Sequence, residues 1–404
     1  MSGSASGMFA GSPGCVRPYR LRTIPDLLTI TKPAVDVRVH TGRAPLHLDG
    51  ADALRALATL AVVVVHTCHW PLQNSGADLR VWSWVDLGSR FCVPAFVVLS
   101  GLLLGLRGGA AEGRGRWVGR RLRRTLLPFA VWTPVYCALG LWLTGDIVGD
   151  GVGGWLLGGA GHLYFLLLVP QLYAVSLLWP RRLGPSLWLA GAAMAVQLTI
   201  DTLRLAGPMP STLEQLALWK GYELFPFWIG YFAAGIAAGR LLALRRDTPD
   251  HPRAALACAA AIPPAFVLLV SLPVDRLRNG DFAQGTGAFL RPALVPLVLA
   301  ITGAVVLGAP AVLRRRPWLR HALRALSRDS LGVYITHPVI AYLVGHFLLS
   351  SLLKQAFPVS AAGFLLLTGA TLALAILATR LIAASPLAAA IGAPSRRGPA
   401  ARRG

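Results

Sequence analysis

Asp52-Ala-Leu-Arg-Ala-Leu-Ala-Thr-Leu-Ala-Val-Val-Val-Val-His66 carries three ionisable residues on an otherwise apolar run. Continued to residue 72, the run is about twenty residues long, the length at which one helix crosses a bilayer core. Arg55 and His66 are eleven residues apart, almost three helical turns, so they share a face with a rise of about 16 Å between them. Asp52 precedes Arg55 by three residues and is placed to pair with it. This reading puts Arg55 at one membrane boundary and His66 near the midplane.

Similar apolar blocks recur along the chain. Hydrophobic residues make up 55% of its 404 residues and charged residues only 14%, too little polar surface for a soluble chain of this length. We place spans at 52–72, 83–106, 126–144, 160–179, 187–205, 223–242, 254–272, 288–308, 329–350 and 361–382. The expected fold is therefore all-α, a polytopic membrane bundle of about ten helices. The net charge of +22 alone would suggest nucleic acid. The arginines, however, cluster between apolar blocks, as in cytoplasmic loops, so no nucleic-acid partner is expected. With the N-terminus inside, 28 of the 39 Lys and Arg fall in inside segments and 5 in outside ones. An odd number of spans would break this alternation, so both termini are expected in the cytoplasm.

Residues 1–48, rich in Gly, Ser, Pro and Arg, lack the apolar stretch of a signal peptide and read as a disordered basic cytoplasmic tail. Residues 49–385 form the membrane domain and 386–404 a second basic tail. None of the five cysteines forms a CxxC pair, and no HExxH or comparable spacing occurs, so neither a disulfide framework nor a metal site is expected.

Ionisable residues inside a membrane are costly and mark function. His66 has the side chain suited to general-base work near neutral pH, or else it bonds a neighbouring helix. His69, one turn on, reads as structural. Asp86 and Arg90 are spaced i,i+4 as a self-neutralising pair. Ser100-Gly101 permits close helix approach. Seven arginines lie between Arg107 and Arg124 in what reads as a loop. They mark an inside segment, and Arg121 and Arg124, spaced i,i+3, also suit a phosphate clamp, with Arg123 beside them. His162-Leu-Tyr164-Phe165 opens the fourth span at its outer edge. Tyr334 and His337 share a face of the ninth. His337 reads either as a second functional histidine or as a partner for backbone freed by Pro338.

Together these residues resemble the acyltransferase-3 family of integral membrane acyltransferases. The resemblance rests on Asp52-x-x-Arg55 with His66 after ten more residues, on Phe96 to Gly101, on Arg121-x-x-Arg124 before Leu127-Pro128, and on Tyr334-x-x-His337-Pro338. It covers about residues 49–385. The Arg90 to Phe96 segment and His162 to Phe165 look most like the branch that O-acetylates surface polysaccharide. Tyr164 stands where that branch usually has Trp.

The resemblance implies an O-acyltransferase with no bound cofactor, taking acetyl or another acyl group from cytoplasmic acyl-CoA. The acceptor would be a hydroxyl of a cell-surface or lipid-linked glycan, or of a glycosylated metabolite. It implies catalytic roles for His66, Arg55, Asp52 and His337, and acyl-CoA binding by Arg121, Arg123 and Arg124. Arg90, Ser100, His162, Tyr164 and Tyr334 would contact the acceptor. The partners implied are the lipid bilayer, acyl-CoA and the glycan. The Arg- and Ala-rich, Lys-poor composition is that of a high-GC bacterium, so the expected membrane is the bacterial cytoplasmic one. A transporter is the competing class, but the inverted repeats it would carry are not evident in the sequence.

Overall fold

Among the described residues, eleven α-helices build the fold and no strand occurs. The computed structural model describes residues 49–68, 71–72, 79–107, 114–144, 161–206, 223–244, 251–271, 289, 291–349 and 360–393. His69 and the tails at 1–48 and 394–404 lie outside these residues. The helices are α1 (Asp49–Thr67), α2 (Leu79–Ser89), α3 (Cys92–Arg107), α4 (Arg114–Thr144), α5 (Tyr164–Leu178), α6 (Leu183–Ala206), α7 (Ile229–Leu244), α8 (Pro252–Val270), α9 (Leu294–Arg315), α10 (Pro317–Leu343) and α11 (Ala361–Ala384).

Among the described residues, eight segments are long and apolar enough to cross a membrane, α2 and α3 counting as one, Arg80–Leu106. The shorter apolar α7 and the polar-ended α10 stand where the sixth and ninth spans were expected. This is a polytopic all-α membrane bundle. Its outer faces carry large apolar side chains, among them Leu178, Trp188 and Leu256, all more than two-thirds exposed. Such a surface needs lipid against it. Trp142, Trp188 and Trp318 sit near helix ends, as interfacial tryptophans do.

Two boundaries differ from expectation for one reason. The arginine-rich stretch read as a loop is the first part of α4, which begins at Arg114, and α10 begins at Pro317 rather than near 329. Hydropathy marks only the apolar part of a helix, whereas arginine is a good helix former and continues it into water. Pro386–Ile391, placed in the C-terminal tail, is a 3-10 helix whose Ala390 carbonyl accepts from the Trp132 indole at 3.0 Å, fastening α4.

α1 lies against α3, α9, α10 and α11. α1 and α10 run parallel. Asp49 meets Arg320 and Arg324, Arg55 meets Ser327, Val63 packs with Val333, and His66 meets His337. Beside this pair, α3 and α7 pack backbone to backbone. Gly101 and Gly105 of α3 face Gly235 and Gly239 of α7, and a Cβ at any of the four would collide with a main-chain carbonyl oxygen of the other helix. Small residues spaced i,i+4 on both helices are what such proximity requires in a bilayer. The break between α2 and α3 falls at Arg90, four residues before Pro94, which cannot donate to a helix running through. The buried Arg90 Nε stands 2.6 Å from Asp86 Oδ2, and the guanidinium lies 4.8 Å from the centre of the Phe289 ring.

Gly101→Ile should therefore lower unfolding stability by about 2–3 kcal/mol or more, because backbone cannot give way as a side chain does. Gly191→Ile, where the added Cβ meets nothing within 4 Å, should change it little. Thermal unfolding of the purified variants in detergent checks the contrast.

Candidate active site

Seven of the polar side chains expected to be functional gather at two ends of the α1–α10 pair: Asp52, Arg55 and Arg121 at one, and His66, His162, Tyr334 and His337 at the other. At the charged end, Asp49 accepts from Arg320 and Arg324 of α10 at 3.0 and 2.8 Å. One turn on, Ser327 Oγ donates to Asp52 at 2.7 Å and accepts from Arg55 at 3.0 Å, and Arg55 stands 3.5 Å from Asp52. The serine thus joins the Asp-Arg pair of α1 to α10. The Arg121 guanidinium of α4 lies 5.9 Å from the Tyr173 ring of α5, and both are within electrostatic range of Arg55. Arg55 and Arg121, on different helices, thus stand within electrostatic range of each other, with Asp52 against Arg55. Arg123 and Arg124 point outward and are exposed.

At the opposite end, three imidazoles come together from three elements. His66 is in the last turn of α1, His162 in the 3-10 turn Gly161–Leu163 ahead of α5, and His337 in α10. Ring centres are 4.8 Å apart for His66 and His337, 5.9 Å for His66 and His162, and 5.7 Å for His162 and His337. His162 and His337 are buried, whereas His66 is partly open. His66 sits some 26 Å from Asp49 by helical rise, so the cluster lies toward the far end of the pair.

The cluster is braced by phenols. Tyr334 Oη donates to the His162 carbonyl, and Tyr136 Oη of α4 donates to the Ile335 carbonyl at 2.7 Å. His337 Nδ1 is 3.0 Å from the Val333 carbonyl, one turn back. The rings do not converge as metal ligands do, and among the described residues no group of three His, Cys, Asp or Glu is placed to hold a metal ion.

The sequence-derived candidates thus divide. Asp52, Arg55 and Arg121 are brought together at one end, and His66, His162, Tyr334 and His337 at the other. Arg90 is held by Asp86, Tyr164 stacks on Trp228 at 6.3 Å, and Ser100 Oγ bonds back to the Phe96 carbonyl at 2.9 Å. Sequence reasoning missed Tyr136, Tyr173, Ser327 and Asp49. Tyr136 and Tyr173 lie in apolar stretches, and Ser327 lies among arginines, so none carried a spacing signal. Asp49, three residues ahead of Asp52, carried one: an acidic residue on the same face at the start of a basic-flanked helix.

The acyltransferase domain that defines the acyltransferase-3 family matches residues 48–380. This chain belongs to that family, and it is a membrane acyltransferase. No curated protein and no solved structure matches it. The match ends before Pro386–Ile391, the segment that fastens α4.

Tyr334→Phe releases the turn that carries His162 without emptying the core. Acyl transfer by the purified variant should fall on the order of 10- to 100-fold, since small misplacements of reacting groups cost that much. The unfolding temperature should move by only a few degrees.

Proposed function

We propose that the protein transfers an acyl group, acetyl first among the candidates, from cytoplasmic acyl-CoA to a hydroxyl of a cell-surface or lipid-linked glycan. One observation carries this reading: α1 brings Arg55 to the charged end and His66 to the imidazole cluster, with about 16 Å of rise between them. CoA is a polyanion on a long pantetheine arm. Its phosphates suit the Arg55–Arg121 end, which the arginine distribution assigns to the cytoplasm. The arm, about as long as half the hydrocarbon thickness, extends along α1. Its thioester then lies toward the histidines, and the acceptor hydroxyl arrives from the other side. The membrane in this reading is the bacterial cytoplasmic one.

His66, the most open of the three rings, is the general base. It takes the hydroxyl proton as the oxygen attacks the thioester carbonyl. The C–S bond breaks, and the proton passes to the departing thiolate, so ester and free CoA thiol are formed. Asp52 and Ser327 hold Arg55 in place. Arg90, Ser100 and Tyr164, engaged in structural contacts, are weaker candidates for acceptor binding than His162 and Tyr334.

Radiolabelled acetyl-CoA and purified protein test the reading. His66→Ala should lose acyl transfer by about 100-fold or more at normal expression, and full retention would sink the assignment. Arg121→Ala and Arg55→Ala should each raise the apparent KM for acetyl-CoA by about tenfold, from the loss of a charge-assisted bond. The exposed Arg123→Ala should raise it least. Equal KM values for all three would remove Arg55 and Arg121 from donor binding.

A further inference from the structure

His337 is buried with no exposed surface, and the reading above gives it no step of its own. Its Nδ1 lies 3.0 Å from the Val333 carbonyl oxygen. A carbonyl only accepts, so Nδ1 carries the proton and Nε2 is left as a bare lone pair. That Nε2 is buried and has no hydrogen-bond partner among the described residues. A buried acceptor left bare is costly, so a donor is needed there in the working state.

The neighbouring hydroxyls are already committed. Tyr334 donates to the His162 carbonyl, Tyr136 to the Ile335 carbonyl and Thr336 to the Gly332 carbonyl. Distance decides between the two remaining rings. An N–H···N bond of ~2.9 Å, with ~1.2 Å from each nitrogen to its ring centre, spans ring centres up to ~5.3 Å apart. His66, at 4.8 Å, is within that reach, and His162, at 5.7 Å, is beyond it.

We propose that His337 is a positioning residue for His66: its Nε2 accepts an N–H of His66 and so fixes which nitrogen of His66 faces the substrate. The inference rests on acyl transfer with His66 as base. The bond forms as the reactive complex tightens, which is common for catalytic hydrogen bonds that are loose in the free enzyme. When His66 takes the hydroxyl proton, both its nitrogens carry hydrogen. One is held by His337, and the other returns its proton to the departing CoA thiolate. The Val333 carbonyl, His337 and His66 thus form a relay of orientation, in which no proton leaves His337. This is the arrangement of an oriented base acting beside a nucleophile.

The test compares His337→Leu, which removes the acceptor, with His337→Gln, which offers a carbonyl oxygen near the reach of Nε2. Release of CoA thiol from acetyl-CoA in the presence of an acceptor is the readout. His337→Leu should lose about 100-fold or more in kcat with the KM for acetyl-CoA within about twofold, and His337→Gln should stay within about tenfold of wild type. Gln as inactive as Leu would overturn the proposal, because the imidazole would then take the proton itself. Both variants as active as wild type would also overturn it. If wild type releases no thiol, it is the acyl-transfer reading that falls. Should His337→Leu fail to fold, the histidine 15N shifts of the wild type decide: protonation of His337 at Nδ1 supports the proposal, and protonation at Nε2 overturns it.

Discussion

The lock between α1 and α10 sets the register on which the candidate site depends. Charges within a bundle persist only where partners meet them. Asp49 has two, Arg320 and Arg324, and Asp52 and Arg55 share Ser327. These contacts leave the two parallel helices little freedom to slide. Sliding by one residue would move each side chain 1.5 Å and turn it by 100°. With the register fixed at the charged end, His66 comes to face His337 at the other. The partly exposed pairing is a weak source of net stability, and its worth lies in specifying one arrangement.

The remaining elements complete the two ends. The glycine faces of α3 and α7 draw those helices to backbone contact beside α1. α4, largely turned outward, is fastened at three heights, by Arg121 against Tyr173, Trp132 against Ala390 and Tyr136 against Ile335. One peripheral helix therefore reaches from the charged end to the histidine end. Its placement bears on both.

Much of the fold was legible in the sequence because the bilayer imposes a length, an apolar composition and an arginine bias that can each be read locally. Eight of the ten expected spans, the Asp86–Arg90 pair and the close approach at Gly101 followed from composition and spacing alone. Contacts between distant segments were less legible. Nothing around His162 announces that its turn folds onto the last turn of α1, and the order of packing around α1 is a tertiary property. Hydropathy also misplaced the starts of α4 and α10, since it sees where a helix is greasy and not where it begins. The site was half legible: residues of α1 and α10 were named correctly as neighbours along their own helices, but Ser327, which joins them, has no local signature.

The proposed transfer requires the acyl donor to enter at the Arg55–Arg121 end and reach toward the histidines. A cryo-electron microscopy structure with a non-hydrolysable acetyl-CoA analogue tests it most directly. Phosphates should lie against Arg55 and Arg121, and the acyl carbonyl within about 3.5 Å of the His66 ring or of an attacking hydroxyl beside it. A donor whose phosphates lie at the histidine end, or whose acyl group stays more than a helical turn from His66, would contradict it.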